Sequence, residues 1–331
     1  MLRDALFERV ESAVVTSATL STGPISMGEG EFTFMRERLG LEKPLTSGGE
    51  ASGAQASGAR ASGIRASRAE AYGRFEDVPL HADEEALGAD EGAQLAFEVT
   101  ETLLPSPFEY QTQTLFCVPT DQPGPASGKE FQEATSRVVR DFAEITGGGI
   151  FALFTSHRAL RAVARHLRDE GADRRWPLMV HGEAPRSRLL DDFTRSEEAI
   201  LLGTASFWEG VDVPGRPLRG LVLQKIPFRV PSEPVTQARM EALEARGKSA
   251  FRSYLVPLAA LRLKQGFGRL IRSREDRGGI VLLDSRILTR SYGLALRRAL
   301  PEAPLVKGPW VEIRSRLRRF YGAGCHQDPR G

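Results

Sequence analysis

The sequence predicts an α/β fold, a parallel sheet with helices on both faces. Short β-branched or aliphatic runs alternate along the chain with longer segments of helical period, which is the pattern of that architecture. With 331 residues, 41% hydrophobic and 27% charged, the composition is that of an ordinary globular protein with apolar residues enough for a substantial core. No stretch approaches about 18 uninterrupted apolar residues, so no membrane span is expected. The opening residues lack a signal peptide's apolar centre, and a cytoplasmic location is expected.

The elements follow in chain order. Ala13 to Thr16 reads as the first strand. Four copies of a five-residue unit then start at Ala51, Ala56, Ala61 and Ala66, after Thr46-Ser47-Gly48-Gly49. Such a stretch cannot bury a core and is too short in period for a solenoid, so residues 43–73 are expected to be a flexible insertion in a surface loop. Glu84 to Leu104 reads as a helix, Thr114 to Val118 as a strand, and Glu130 to Ile145 as a helix, with the Pro/Gly-rich stretch 119–128 between the last two. Ile150 to Phe154 is a strand that leads into the clearest helix, His157 to Glu170. There Leu160, Val163, Ala164 and Leu167 repeat at helical spacing, and Arg158, Arg161, Arg165 and Arg168 take the other, solvated side. Ser156 suits its N-cap and Gly171 its stop. Further strands are expected at Leu178 to His181, Ala199 to Gly203, Gly220 to Ile226 and Ile280 to Asp284. Val311 to Tyr321 reads as a last helix that docks Ile313, Leu317 and Phe320. The whole, 1–331, is expected to be one domain.

Charge argues little by itself. Lys plus Arg number 45 and Asp plus Glu 43, for a net charge of +2, so nucleic-acid binding must rest on local arrangement. Six of the basic residues are Lys and 39 are Arg, and with arginine so abundant only patterned arginines count. Cys117 and Cys325 are far apart and have no CxxC partner, which leaves a disulfide framework, a zinc ribbon or a four-Cys iron–sulfur site unsupported.

The most informative octet is Gln265-Gly266-Phe267-Gly268-Arg269-Leu270-Ile271-Arg272. On a helix, Gln265, Arg269 and Arg272 fall at about 0°, 40° and −20°, and Leu263, Phe267, Leu270 and Ile271 between about 140° and 240°. One face docks, and the other offers an amide and two guanidiniums suited to phosphate oxygens. Two glycines inside a helix cost about 1 kcal/mol each, so either something approaches closely there or the helix is not regular. Three strand ends share a design: Val14 to Ser21, Phe151 to Ser156 and Ala199 to Asp212 each run from apolar residues into hydroxyl-bearing ones. In open α/β sheets such carboxyl ends hold phosphates.

Thr16 to Ser21 (TSATLS), Leu153 to Ser156 (LFTS), Ser206 to Gly215 (SFWEGVDVPG) and Gln265 to Ser273 (QGFGRLIRS) resemble helicase motifs III, IV, V and VI of the DinG/XPD group of superfamily 2. The intervening LPSPFEYQTQTLFCVPTDQP, LQKIPFRVPSEP and GGIVLLDSRILTRSYG agree with that group. The resemblance covers all but the pentapeptide insertion and the last dozen residues. SFWEGVD together with QGFGRLIR is highly specific.

This resemblance implies the second RecA-like motor domain of an ATP-dependent DNA helicase. ATP with Mg²⁺ would be held mainly by an N-terminal half with the Walker A lysine and DEAH residues, neither of which is found here, and no iron–sulfur cluster is expected in this chain. It further implies Arg269 and Arg272 as arginine fingers, with Gln265, Glu209, Gly210 and Asp212 at the nucleotide cleft. Thr155, Ser156, Thr204 and Ser206 would meet the sugar–phosphate backbone of single-stranded DNA, and Thr16, Ser17 and Thr19 would couple the two domains. Trp208 is either a stacking residue or core. Ala242 to Ser249 fits a relaxed P-loop, but the polar, helix-forming Thr236 to Arg246 precedes it where a buried strand is needed. Asp83-Glu84-Glu85-Ala86 likewise lacks the strand and the His of a DEAH box. The alternative is a non-catalytic nucleic-acid or protein-binding module derived from such a domain.

Overall fold

The computed structural model describes residues 13–16, 32–39, 41, 106–204, 207 and 217–322. Among them seven strands form one sheet: β1 (Thr114–Pro119), β2 (Ile150–Leu153), β3 (Leu178–Val180), β4 (Ile200–Gly203), β5 (Gly220–Leu223), β6 (Gly278–Leu282) and β7 (Leu305–Gly308). Their order is β3-β4-β2-β5-β6-β1-β7, with every neighbouring pair parallel. Parallel strands need long crossovers, and helices supply them. The expected parallel sheet flanked by helices is therefore the fold.

Alternation along each strand divides the core in two. Phe151, Leu153, Leu201, Leu221 and Leu223 face one layer, where α3 (Arg186–Ser196), α5 (Val256–Phe267) and α6 (Tyr292–Arg298) pack. Ile150, Ala152, Ile200, Leu202 and Val222 face the other, against α1 (Lys129–Thr146), α2 (His157–Asp169) and α7 (Trp310–Gly322). Burial on both faces is why these strands read as continuous apolar runs.

Helix α2 has the predicted stripe, with Leu160, Val163 and Leu167 fully buried. Ser156 caps it by accepting the Ala159 amide at 3.3 Å, and Gly171 follows in the left-handed region at φ 71°. Ile313 and Leu317 anchor α7 as expected, but its other anchor is Tyr321. Phe320 is only half-buried, under the Arg277 guanidinium at 4.8 Å.

One expected element is absent, one is irregular and one was not foreseen. Ala13–Thr16 forms no strand, and Val14 is 88% exposed, because a β-branched run needs a neighbouring strand to complete its backbone bonds. Of the two alternatives at the octet, the irregular helix is the one found: it stops at Phe267, with Gly268 at its C-cap. Strand β7 was not foreseen; among the described residues it is a four-residue edge strand paired with β1 alone, so little of it is buried. Residues 43–73 and 84–104 lie outside the described residues.

The P-loop look-alike sits at the exposed end of α4 (Pro234–Glu244), with Gly247 at φ 70°. A helix stands where a phosphate-binding loop needs a strand. Before α5, Phe251–Leu255 is a π-turn. Pro257 has no N–H to give the regular ladder there, which accounts for the widened turn.

Candidate nucleotide and nucleic-acid edges

In a parallel sheet all carboxyl ends lie along one edge, and the residues that follow them are brought together. After β2 stand Thr155 and Ser156, both exposed. After β4 stands Thr204, only 5% exposed. Its hydroxyl lies 2.7 Å from His181 Nδ1 and 3.3 Å from His157 Nε2. The two imidazoles are 4.8 Å apart, and His181 packs edge-on against Phe207 at 4.7 Å. The Arg186 guanidinium lies 5.5 Å over the same phenyl ring. Burial, then the neighbouring His157 and Arg186, hold the His181 imidazole below its ordinary value. Sequence reasoning missed both histidines, since neither spacing nor periodicity connects position 157 with 181.

The same edge continues at β5 and β6. Gln224 is buried and donates to Thr135 Oγ1 at 3.3 Å. Asp284, fully buried, accepts the Ile226 amide at 3.1 Å and a two-point contact from Arg286, 2.8 Å from Nε and 2.6 Å from Nη2. That carboxylate raises the Arg286 pKa. Beside it Lys225 is half-buried, its pKa lowered by desolvation and then by Arg286, with Asp284 partly opposing. An aspartate that ends the apolar run Ile280 to Leu283 was the available signal, and it was read only as the end of a strand.

The octet is placed elsewhere. Helix α5 runs back across the sheet, and its end leads through a short loop into the start of β6. Gln113, just before β1, donates to the carbonyl oxygens of Ser273 and Asp276, both at 2.8 Å. Asp276 Oδ2 accepts the amides of Arg272 and Ser273, also at 2.8 Å. These bonds pin the segment after Arg272 to the amino edge. Phe267, Leu270 and Ile271 are sunk in the core, and a side-chain carbon on Gly278 would come within 2.6 Å of Leu270.

Gln265, Arg269 and Arg272 are each half-exposed, and Gln265 Oε1 is buried without a hydrogen-bond partner among the described residues. Among the described residues, Arg269 and Arg272 therefore lie towards the amino edge of the sheet, and Thr155, Ser156 and Thr204 at the carboxyl edge. Helical spacing does not align Arg269 with Arg272, because the helix has ended. Between them Leu270 and Ile271 are buried, and both arginines stay partly exposed. Thr16 is exposed and outside regular structure. Ser17, Thr19, Ser206, Trp208, Glu209, Gly210 and Asp212 lie outside the described residues.

Residues 139–303 match the family described as the helicase C-terminal domain. The chain is 39% identical over 218 residues to the ATP-dependent DNA helicase YoaA of Escherichia coli K12, across 64% of this chain and 33% of that protein. It is 32% identical over 305 residues to the 3'-5' exonuclease DinG of Bacillus subtilis 168, across 91% of this chain and 26% of that protein. To the ATP-dependent helicase DinG of Mycobacterium tuberculosis H37Rv it is 35% identical over 215 residues, 65% of this chain and 32% of that protein. The chain spans about a third or less of the length of these relatives.

Proposed function

The chain carries a helicase C-terminal domain of the DinG type at residues 139–303, and from that premise we propose that it is the C-terminal motor domain of an ATP-dependent DNA helicase. The observation that carries this reading is the end of α5. Core packing of Phe267, Leu270 and Ile271 fixes the backbone that bears Arg269 and Arg272, and Asp276 and Gln113 fix the loop beyond. Guanidiniums mounted on so rigid a support are suited to a charge that develops on a transferring phosphoryl group.

ATP, with its Mg²⁺, is the substrate, held mainly by an N-terminal half that has the Walker A and DEAH motifs. When the cleft between the halves closes, Arg269 and Arg272 reach the γ-phosphate and Gln265 contacts the nucleotide. Glu209, Gly210 and Asp212 link that cleft to the strand track. Thr155, Ser156, Thr204 and Ser206 position the sugar–phosphate backbone without reading sequence. Thr16, Ser17 and Thr19 couple the halves. Closure and hydrolysis are thereby tied, and hydrolysis moves the protein along single-stranded DNA and parts a duplex.

Alone, the chain should show no DNA-stimulated ATPase. Mixed with a Walker A-bearing half it should gain one, and Arg269→Ala should lower that rate by about a thousandfold or more, as loss of an arginine finger does, with little change in melting temperature. ATPase activity of the purified chain by itself would overturn the missing-half reading. Absence of any gain on mixing would favour a non-catalytic binding module.

A further inference from the structure

The Thr204 hydroxyl has one hydrogen and two lone pairs, and it sits between two imidazoles, 2.7 Å from His181 Nδ1 and 3.3 Å from His157 Nε2. With both rings uncharged, it donates to one and accepts an N–H from the other. The ring that accepts at its inner nitrogen has its hydrogen on the outer one. The ring that donates inward has a bare lone pair outside. The outer nitrogens are His181 Nε2 and His157 Nδ1, and among the described residues they make no further hydrogen bond. An uncharged pair therefore offers one donor and one acceptor.

One added proton changes this. It occupies the bare outer nitrogen, leaves the Thr204 bonds intact, and gives the pair two donors. A phosphodiester has two non-bridging oxygens that only accept, so it matches the singly protonated pair and is repelled by a lone pair of the uncharged one. Rings 4.8 Å apart oppose a second proton. Of the charged groups nearby, Arg186 on α3 stands over Phe207, which packs on His181. Arg158 and Arg161 flank His157 on α2, and Arg161 Nε donates to the His157 carbonyl at 3.4 Å. Glu183, in the loop after His181, is engaged by Arg168 at 2.7 Å. Burial, the neighbouring ring and Arg186 all disfavour a proton on His181; a bound phosphate would oppose them.

We propose that His157 and His181 together grip one phosphate of a bound single strand by taking up a proton, and that Thr204 is the positioning residue that holds both rings for it. This rests on the single-strand reading above, and it makes Thr204 an indirect contact.

The test is fluorescence anisotropy of a fluorescein-labelled oligothymidine with the full chain, from about pH 8 to about pH 6 at constant ionic strength. Kd should fall as pH falls, approaching about tenfold per pH unit for a one-proton uptake. His157→Gln and His181→Gln should each flatten the slope, and His166→Gln, near the far end of α2, should leave it unchanged. Thr204→Val should flatten it and Thr204→Ser should keep it; if the valine variant melts early, the serine variant and the two glutamine variants still decide. Binding with no slope, or a slope that survives both glutamine variants, overturns the inference and leaves the single-strand reading in place. No binding at any pH removes both.

Discussion

Tyr321 shows how much one side chain fixes. From α7 its hydroxyl donates to the Arg219 carbonyl at 2.5 Å and accepts the Gly279 amide at 2.6 Å, so one phenol satisfies the backbone where β5 and β6 begin. Tyr321→Phe would leave a buried donor and a buried acceptor unpaired, and should cost about 1–3 kcal/mol in denaturant unfolding. Burial raises the Tyr321 pKa, and burial likewise pushes the Cys117 thiol up from 9.0 to about 12. Both groups are thus protonated in the native state at pH values where the unfolded chain has already lost those protons. Their contribution to stability is complete below the unfolded values and is lost as pH rises through the folded ones. Native stability should therefore begin to fall above about pH 9, the Cys117 part being lost by about pH 12. Urea melts across that range check the sign, and in Tyr321→Phe the decline above about pH 10, where tyrosine ordinarily ionises, should be shallower.

Among the elements, those that bury an apolar run or stripe were the legible ones. Helix α2 and strands β1 to β6 stand close to where periodicity puts them, since an apolar run or stripe is itself the record of burial on folding. Edge strand β7 has no such record, and Ala13–Thr16 had one that no partner strand among the described residues completes. The octet illustrates a third case, in which a helical pattern continues past the helix because Leu270 and Ile271 remain buried after the turn at Gly268. Between α1 and β2, Gly147, Gly148 and Gly149 all have positive φ, at 68°, 90° and 68°. A side-chain carbon on Gly148 would fall on the Glu198 carbonyl oxygen, which is backbone and cannot swing away. Gly148→Ala should destabilise by more than about 1 kcal/mol, read as a drop in melting temperature, whereas Gly124→Ala, which meets nothing within 4 Å, should leave it unchanged.

For the molecule as a whole, charge balance makes a clear demand. A chain with net charge +2 can hold a nucleic-acid strand only through cations gathered at one place, such as Arg158, Arg161 and Arg186 beside the carboxyl edge. Single-strand affinity should then fall linearly in log Kd against log salt with a slope set by those few contacts. A Kd indifferent to salt would argue against a phosphate track. Sequence alone determined the class of fold, because repeated apolar runs separated by helical stripes close in few ways other than a layered sheet, and it determined the family, because SFWEGVD and QGFGRLIR are specific strings. Only the tertiary structure decided that the arginines and the hydroxyl-bearing strand ends occupy opposite edges, that the helix under the arginines ends early, and that two histidines 24 residues apart share the Thr204 hydroxyl. Contacts of that kind depend on how strands are ordered in the sheet, and local periodicity holds no information about that order.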